Sequence, residues 1–153
     1  GETARILVMT PIDGTALGFD TLNHRYVLNS GQSLTAGATH RLTVNLPNRP
    51  EFVASVDVPS DFVVTPLPAS ISRNSLLHLS WSAAAGATQG YSVLVSNASG
   101  GVSYASTASQ TSLDVSGFGV VGKAYVTIAA EGSTSDRHLE VRREYMFEID
   151  VTP

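Results

Sequence analysis

Four histidines, thirteen carboxylates and many hydroxyl side chains are the residues of this 153-residue chain that could do acid–base or nucleophilic chemistry. A zinc site needs three or four donors at about 2.0–2.3 Å, and close pairs such as His-x-His usually announce it. His24, His40, His78 and His138 are far apart, and none has a partner at ligand spacing. His40 and His78 read as solvent-facing residues on the polar phase of strands. A serine nucleophile would be signalled by a Gly-x-Ser-x-Gly elbow between strand and helix. The chain has none, and Ser99-Gly100 and Ser116-Gly117 are ordinary turn chemistry. Absence of cysteine excludes disulfides, thiolate zinc sites and cysteine nucleophiles.

Paired carboxylates about 5–9.5 Å apart can hydrolyse glycosides. The candidate pairs are Asp13 with Asp20 and Glu148 with Asp150. The second pair shares one face of a predicted strand, where solubilising charge is the simpler role. Asp13 and Asp20 fall at loop ends that suit calcium, but no Asp-x-Asp-x-Asp-Gly loop surrounds them. Tyr26, Tyr104 and Tyr145 are the candidate ligand-contact aromatics, as a sugar-stacking platform or else as sandwich packing. Asn97-Ala98-Ser99 matches the N-glycosylation acceptor in a predicted turn. No catalytic residue, cofactor or metal is assigned.

The elements that must position these side chains are strands. His40–Leu46 alternates, with Leu42, Val44 and Leu46 on one face and Arg41, Thr43 and Asn45 on the other. Period two of this kind marks a half-buried strand of an antiparallel sheet. Phe52, Ala54, Val56 and Val58 alternate in the same way until Pro59 ends the run, and Phe62–Thr65 is a short extended piece. Arg5–Met9 and Arg25–Leu28 add two more β-rich runs. In the second half Leu77, Leu79 and Trp81 point one way, as do Tyr91, Val93 and Val95, and later Tyr145, Phe147, Ile149 and Val151. Lys123–Ala130 is the most strand-like run, and Glu131–Ser135 reads as a turn. Strands every 8–12 residues, without an amphipathic helix, predict an all-β sandwich. Pro66-Leu67-Pro68 favours a stiff extended connector, which divides the chain into two tandem sandwich domains, 1–65 and 66–153.

Composition narrows the function classes. Charged residues make up 14% against an average of about 25%, while hydrophobic residues reach 42%, enough for a real core. Nine Lys plus Arg and a net charge of −4 give no basic stripe for nucleic acid. No apolar run approaches the roughly 20 residues that span a bilayer. The expected arrangement is a secreted or cell-surface protein, lipid-anchored through a removed N-terminal segment ahead of Gly1.

The second half resembles a fibronectin type III domain. The resemblance rests on Leu77-x-Leu79-x-Trp81, Tyr91-x-Val93-x-Val95, the Thr-Ser-Leu stretch at 111–113, and Gly122-Lys123-Ala124-Tyr125-Val126-x-Ile128-x-Ala130. It implies an immunoglobulin-like sandwich in which Trp81 packs between sheets and Tyr125 makes a corner hydrogen bond. The family's leucine and proline before that corner are replaced by Phe118 and Gly119-Val120-Val121. The first half is similar, more loosely, to the N-terminal sandwich of bacterial surface lipoproteins, through Gly37, Thr39, Leu42 and Val44 followed by Val58-Pro59. Together these imply a non-enzymatic binding or structural module with a protein or glycan partner. The alternative is a carbohydrate-binding accessory module of a polysaccharide-utilisation system.

Overall fold

The computed structural model describes residues 11–13, 15–22, 25–27, 34–44, 48, 50–133 and 140–153. Every regular element among them is a strand. In chain order they are β1 (Pro11–Ile12), β2 (Thr15–Ala16), β3 (Gly18–Asp20), β4 (Arg25–Val27), β5 (Thr39–Val44), β6 (Phe52–Asp57), β7 (Ser70–Ser72), β8 (Leu77–Ser80), β9 (Gly90–Asn97), β10 (Gly100–Ser106), β11 (Ser112–Val115), β12 (Gly122–Ser133) and β13 (Glu140–Thr152). The expected Arg5–Met9 strand lies outside the described residues, as do His24 and His138.

Two sheets build the second half. The larger has the order β10-β9-β12-β13-β7, with β7 parallel to β13 and every other pair antiparallel. The smaller pairs β8 with β11 and is extended by a bridge from Val64 to Trp81. Their inward side chains meet in one core. Leu77, Leu79 and Val115 come from the small sheet, and Tyr91, Val93, Val95, Val126, Ile128 and Ile149 from the large one. Side chains alternate across a strand, so the sequence phases of β8, β9 and β13 fall on this core as expected. Trp81 is 5% exposed, and its ring lies 5.2 Å from that of Tyr91. The Tyr91 hydroxyl accepts the Ala84 N–H at 2.8 Å, which anchors the loop after β8.

Three segments differ from the sequence reading. Glu131–Ser133, expected as a turn, continues β12, because its partners Glu140–Arg142 extend β13 to match. Phe62–Thr65 stands before the expected boundary but pairs with the strand after it. The Thr65 N–H donates to Ser80 O at 2.9 Å, the Ser82 N–H donates to Val63 O at 2.8 Å, and Phe62 sits in the shared core. Pro66–Pro68 therefore carries the chain from the small sheet to β7 on the large one. His40, expected to face solvent, is 7% exposed. It has the same strand parity as Leu42, so the alternation itself turns it inward.

The first half forms the sheet β2-β1-β5-β6 and the separate pair β3-β4. His40 ties β5 to its surroundings. Its Nδ1 lies 2.5 Å from Asp13 Oδ2, and its Nε2 lies 3.1 Å from Thr35 O. Asp13 also accepts the Arg41 N–H at 2.8 Å. That backbone N–H, and next the His40 contact, hold the Asp13 carboxyl below its usual 3.8. A lowered carboxylate contributes stability that is complete above its ordinary value and is lost as pH falls through the lowered one. The stability difference between wild type and Asp13→Asn is therefore expected to shrink as pH falls below the ordinary value of 3.8. Denaturant melts at a series of pH values check this, and a pH-independent difference contradicts it.

The halves join where β6 runs out. The Ser60 N–H donates to Ala85 O at 2.8 Å, and the Ala85 N–H donates to Ser60 Oγ at 3.0 Å. Gly132 sits so close that a Cβ there would lie 2.6 Å from Asp57 O and 2.8 Å from Gly86 O. Asp61 Oδ1 accepts from Arg143 Nε at 2.7 Å and from the Tyr145 hydroxyl at 3.0 Å. Arg143 and then Tyr145 hold the Asp61 carboxyl below the usual range. These groups are exposed enough for salt to screen them. Asp61→Ala is expected to lower the Tm slightly at low ionic strength and to match wild type near about 1 M salt. A drop that persists unchanged in salt contradicts an electrostatic role.

Candidate functional site

The inner face of the large sheet is filled, so its chemistry must come from the outer face. The register of β12 turns Ala124, Val126, Ile128 and Ala130 inward, each 0% exposed, and presents Lys123, Tyr125 and Thr127 outward. Cross-strand pairing then sets out rows on the outer face. One row runs Ser103–Leu94–Thr127–Met146 across four strands. At roughly 4.8 Å per strand it is about 14 Å long. The next row runs Gly101–Ser96–Tyr125–Glu148. Met146 is 69% exposed, Leu94 40% and Tyr125 36%, so three large side chains stand open to water on this face, with Thr127 between Leu94 and Met146.

Charged groups flank these side chains along the strands, and Glu148 lies directly opposite Tyr125. At one end Lys123 Nζ lies 2.6 Å from Glu148 and 2.9 Å from Asp150, and these partners, Glu148 first, raise its pKa. At the other, Arg142 pairs with Glu144 at 2.7 Å, and Ser92 Oγ donates to Glu131 Oε1 at 2.5 Å.

The predicted aromatics do not gather here. Tyr104 pairs with Val93, Val93 with Ile128, and Ile128 with Tyr145, so the two tyrosines end one row on the inner face. Both pack against the core. The Tyr104 hydroxyl accepts the Ser116 N–H at 2.9 Å and contacts Ser116 Oγ at 2.9 Å. The Tyr145 ring meets Phe62 edge-on at 4.9 Å. Tyr26 lies opposite Phe19 in the β3-β4 pair, a different sheet. Tyr125, which the resemblance assigned to a corner hydrogen bond, instead faces outward. Its neighbour Ala124 holds the inward position at the start of β12.

No protein-family model matches the chain, and no curated protein matches it either. Function must therefore be argued from these side chains alone. Glu148 and Asp150 are both engaged by Lys123 rather than opposed across a cleft. Asp13 is engaged by His40 and Arg41. His78 pairs with Asp114 at 2.7 Å across β8 and β11, in the open. Among the described residues no three His, Asp or Glu side chains gather as metal ligands. Asn97 uses both ends of its amide: Oδ1 accepts the Ser99 N–H at 2.8 Å, and Nδ2 donates to Gly117 O at 3.3 Å. A concavity of about 230 Å³ beside this hairpin is lined largely by Val95, Val102 and three glycines, with no acid or base in it.

Leu94 and Met146 are not among the sequence-predicted contact residues, because the inward phases around them dominate the pattern. The signal was present. Each is a large apolar residue out of phase with Tyr91-Val93-Val95 or Tyr145-Phe147-Ile149, where alternation calls for a polar one.

Proposed function

We propose that this chain is a non-enzymatic secreted or cell-surface binding module of a bacterial protein, with the outer face of the β10-β9-β12-β13 sheet as its contact surface. The observation that carries the reading is the exposed Leu94–Met146 row with Tyr125 beside it, on a sheet whose other face is a completed core. Three large apolar side chains left in water on one sheet face, where alternation calls for polar ones, support a partner site there. The order β10-β9-β12-β13 opposite β11-β8, with a crossover at Pro66–Pro68, supports a fibronectin type III-like sandwich for 66–153. The 1–65 region is then the first of two tandem units, which donates Phe62–Thr65 to the second. The partner is a protein rather than nucleic acid, given the net charge of −4. Among the described residues no helix is long and apolar enough to cross a membrane.

The second reading, a carbohydrate-binding accessory module, is favoured by Tyr125, whose ring lies on the same open face as Ser96 and Glu148. One experiment separates the two. A photo-crosslinking residue is placed at Met146, or at Asp114 on the small sheet, and the protein is incubated with envelope material of the source cell. Protein adducts at 146 and none at 114 support the first reading, and equal yields contradict it. Glycan-array binding that Tyr125→Ala abolishes selects the second.

A further inference from the structure

Among the described residues the β10 edge of the large sheet is unpaired, while its far edge ends in the three-residue strand β7. Among the described residues β10 is the longest edge strand, with seven residues in unbroken register with β9 and no partner strand on its other side. Proteins commonly guard such an edge with lysine, proline or a bulge, because its unpaired N–H and C=O groups template another strand. Gly100–Ser106 carries no charge, no proline and no bulge. Its Val102 faces the core side, in register with buried Val95, and is yet 45% exposed at the rim.

We infer that β10 pairs antiparallel with β10 of a second copy of this chain, about a two-fold axis at Ser103. The strand is complementary to itself in that register. Position 103 meets 103, position 102 meets 104, and position 101 meets 105. On the core side each half-exposed Val102 then lies opposite the partner copy's Tyr104 position, an aromatic–β-branched pair of the kind that stabilises sheets. On the outer face Gly101, Ser103 and Ala105 meet only small residues, so nothing holds the backbones apart. No like charges oppose each other despite the net charge of −4. The two outer faces become one continuous sheet with the Leu94–Met146 row repeated in each half. Edge pairing alone buries little area, so the dimer is weak and depends on concentration.

The inference is independent of what the outer face binds, and its test is the oligomeric state of the full chain. Sedimentation over a concentration series is expected to show a monomer–dimer equilibrium for wild type. Ser103→Lys and Ser103→Glu, each checked for wild-type circular dichroism, are expected to weaken association at least about tenfold, and an equimolar mixture of the two to restore it. A chain without cysteine permits a second readout. Directly opposed positions in antiparallel strands lie within disulfide reach. Ser103→Cys is therefore expected to oxidise to a covalent dimer much faster than Ser109→Cys, an exposed position outside the strand. A wild type that stays monomeric throughout, a dimer indifferent to charge at 103, or equal oxidation of the two cysteine variants would overturn the inference.

Discussion

Gly90→Ala is expected to destabilise the fold by about 2–5 kcal/mol. Two costs add. Gly90 opens β9 at φ +97°, a conformation that costs an L-residue roughly 1–2 kcal/mol. A Cβ at that position would also lie 2.1 Å from Ser106 O, so the end of β10 must move, at the roughly 1–3 kcal/mol of an overpacked site. For a chain of this size the sum lowers the Tm by roughly 4–20 °C. Gly100→Ala is the control. It too has positive φ, at +135°, but a Cβ there meets nothing within 4 Å, so only the backbone cost of about 1–2 kcal/mol applies. Equal losses at the two positions would mean that the Ser106 contact is absent.

Phe118→Ala is expected to cost about 3–5 kcal/mol, although Phe118 lies in no strand. It is 0% exposed and fills the core between the end of β11 and the start of β12. Its near neighbours Val120 and Val121 are 40% and 49% exposed, and their alanine variants are expected to change stability by less than about 0.5 kcal/mol. Phe118 thus fills the core from a segment that belongs to no strand. Chemical denaturation of the three variants checks this, and a Phe118 loss no larger than that of Val121 contradicts it.

The core of the second half was legible because its strands obey period two over long runs. Leu77-Leu79-Trp81 and Tyr91-Val93-Val95 each declare a face in five residues, and both faces are buried. Tyr125 was misplaced by a single residue. The inward phase of β12 is Ala124-Val126-Ile128-Ala130, and a shift of one position exchanges the faces of a strand. A family pattern fixes on the aromatic, whereas the register follows the aliphatic residues after it. Hydroxyl-to-backbone anchoring passes instead to Tyr91 and Tyr104, through the Ala84 and Ser116 N–H groups. His40 was misjudged because a histidine looks polar. Its burial depends on Asp13, which lies 27 positions earlier and comes alongside only through the pairing of β1 with β5.

The exposed apolar side chains were harder to see for a related reason. Leu94, Tyr125 and Met146 are each unremarkable alone, and only the three-strand register puts them on one face, with Leu94 and Met146 on either side of Thr127. The placement of Phe62–Thr65 was likewise invisible to a local reading. Two prolines mark a stiff connector, but which sheet lies on each side of it depends on the bridge between Val64 and Trp81.

Thermal unfolding of Val93→Asp and Leu94→Asp tests most directly whether the core lies on one side of the large sheet and an open face on the other. The two residues are neighbours in β9, 1% and 40% exposed. An unpaired carboxylate at 93 is predicted to cost more than about 3 kcal/mol and to abolish cooperative folding or nearly so, while the same group at 94 leaves the Tm within a few degrees of wild type. Equal damage at both positions, or a tolerant 93 with a collapsing 94, would contradict that division of the sheet.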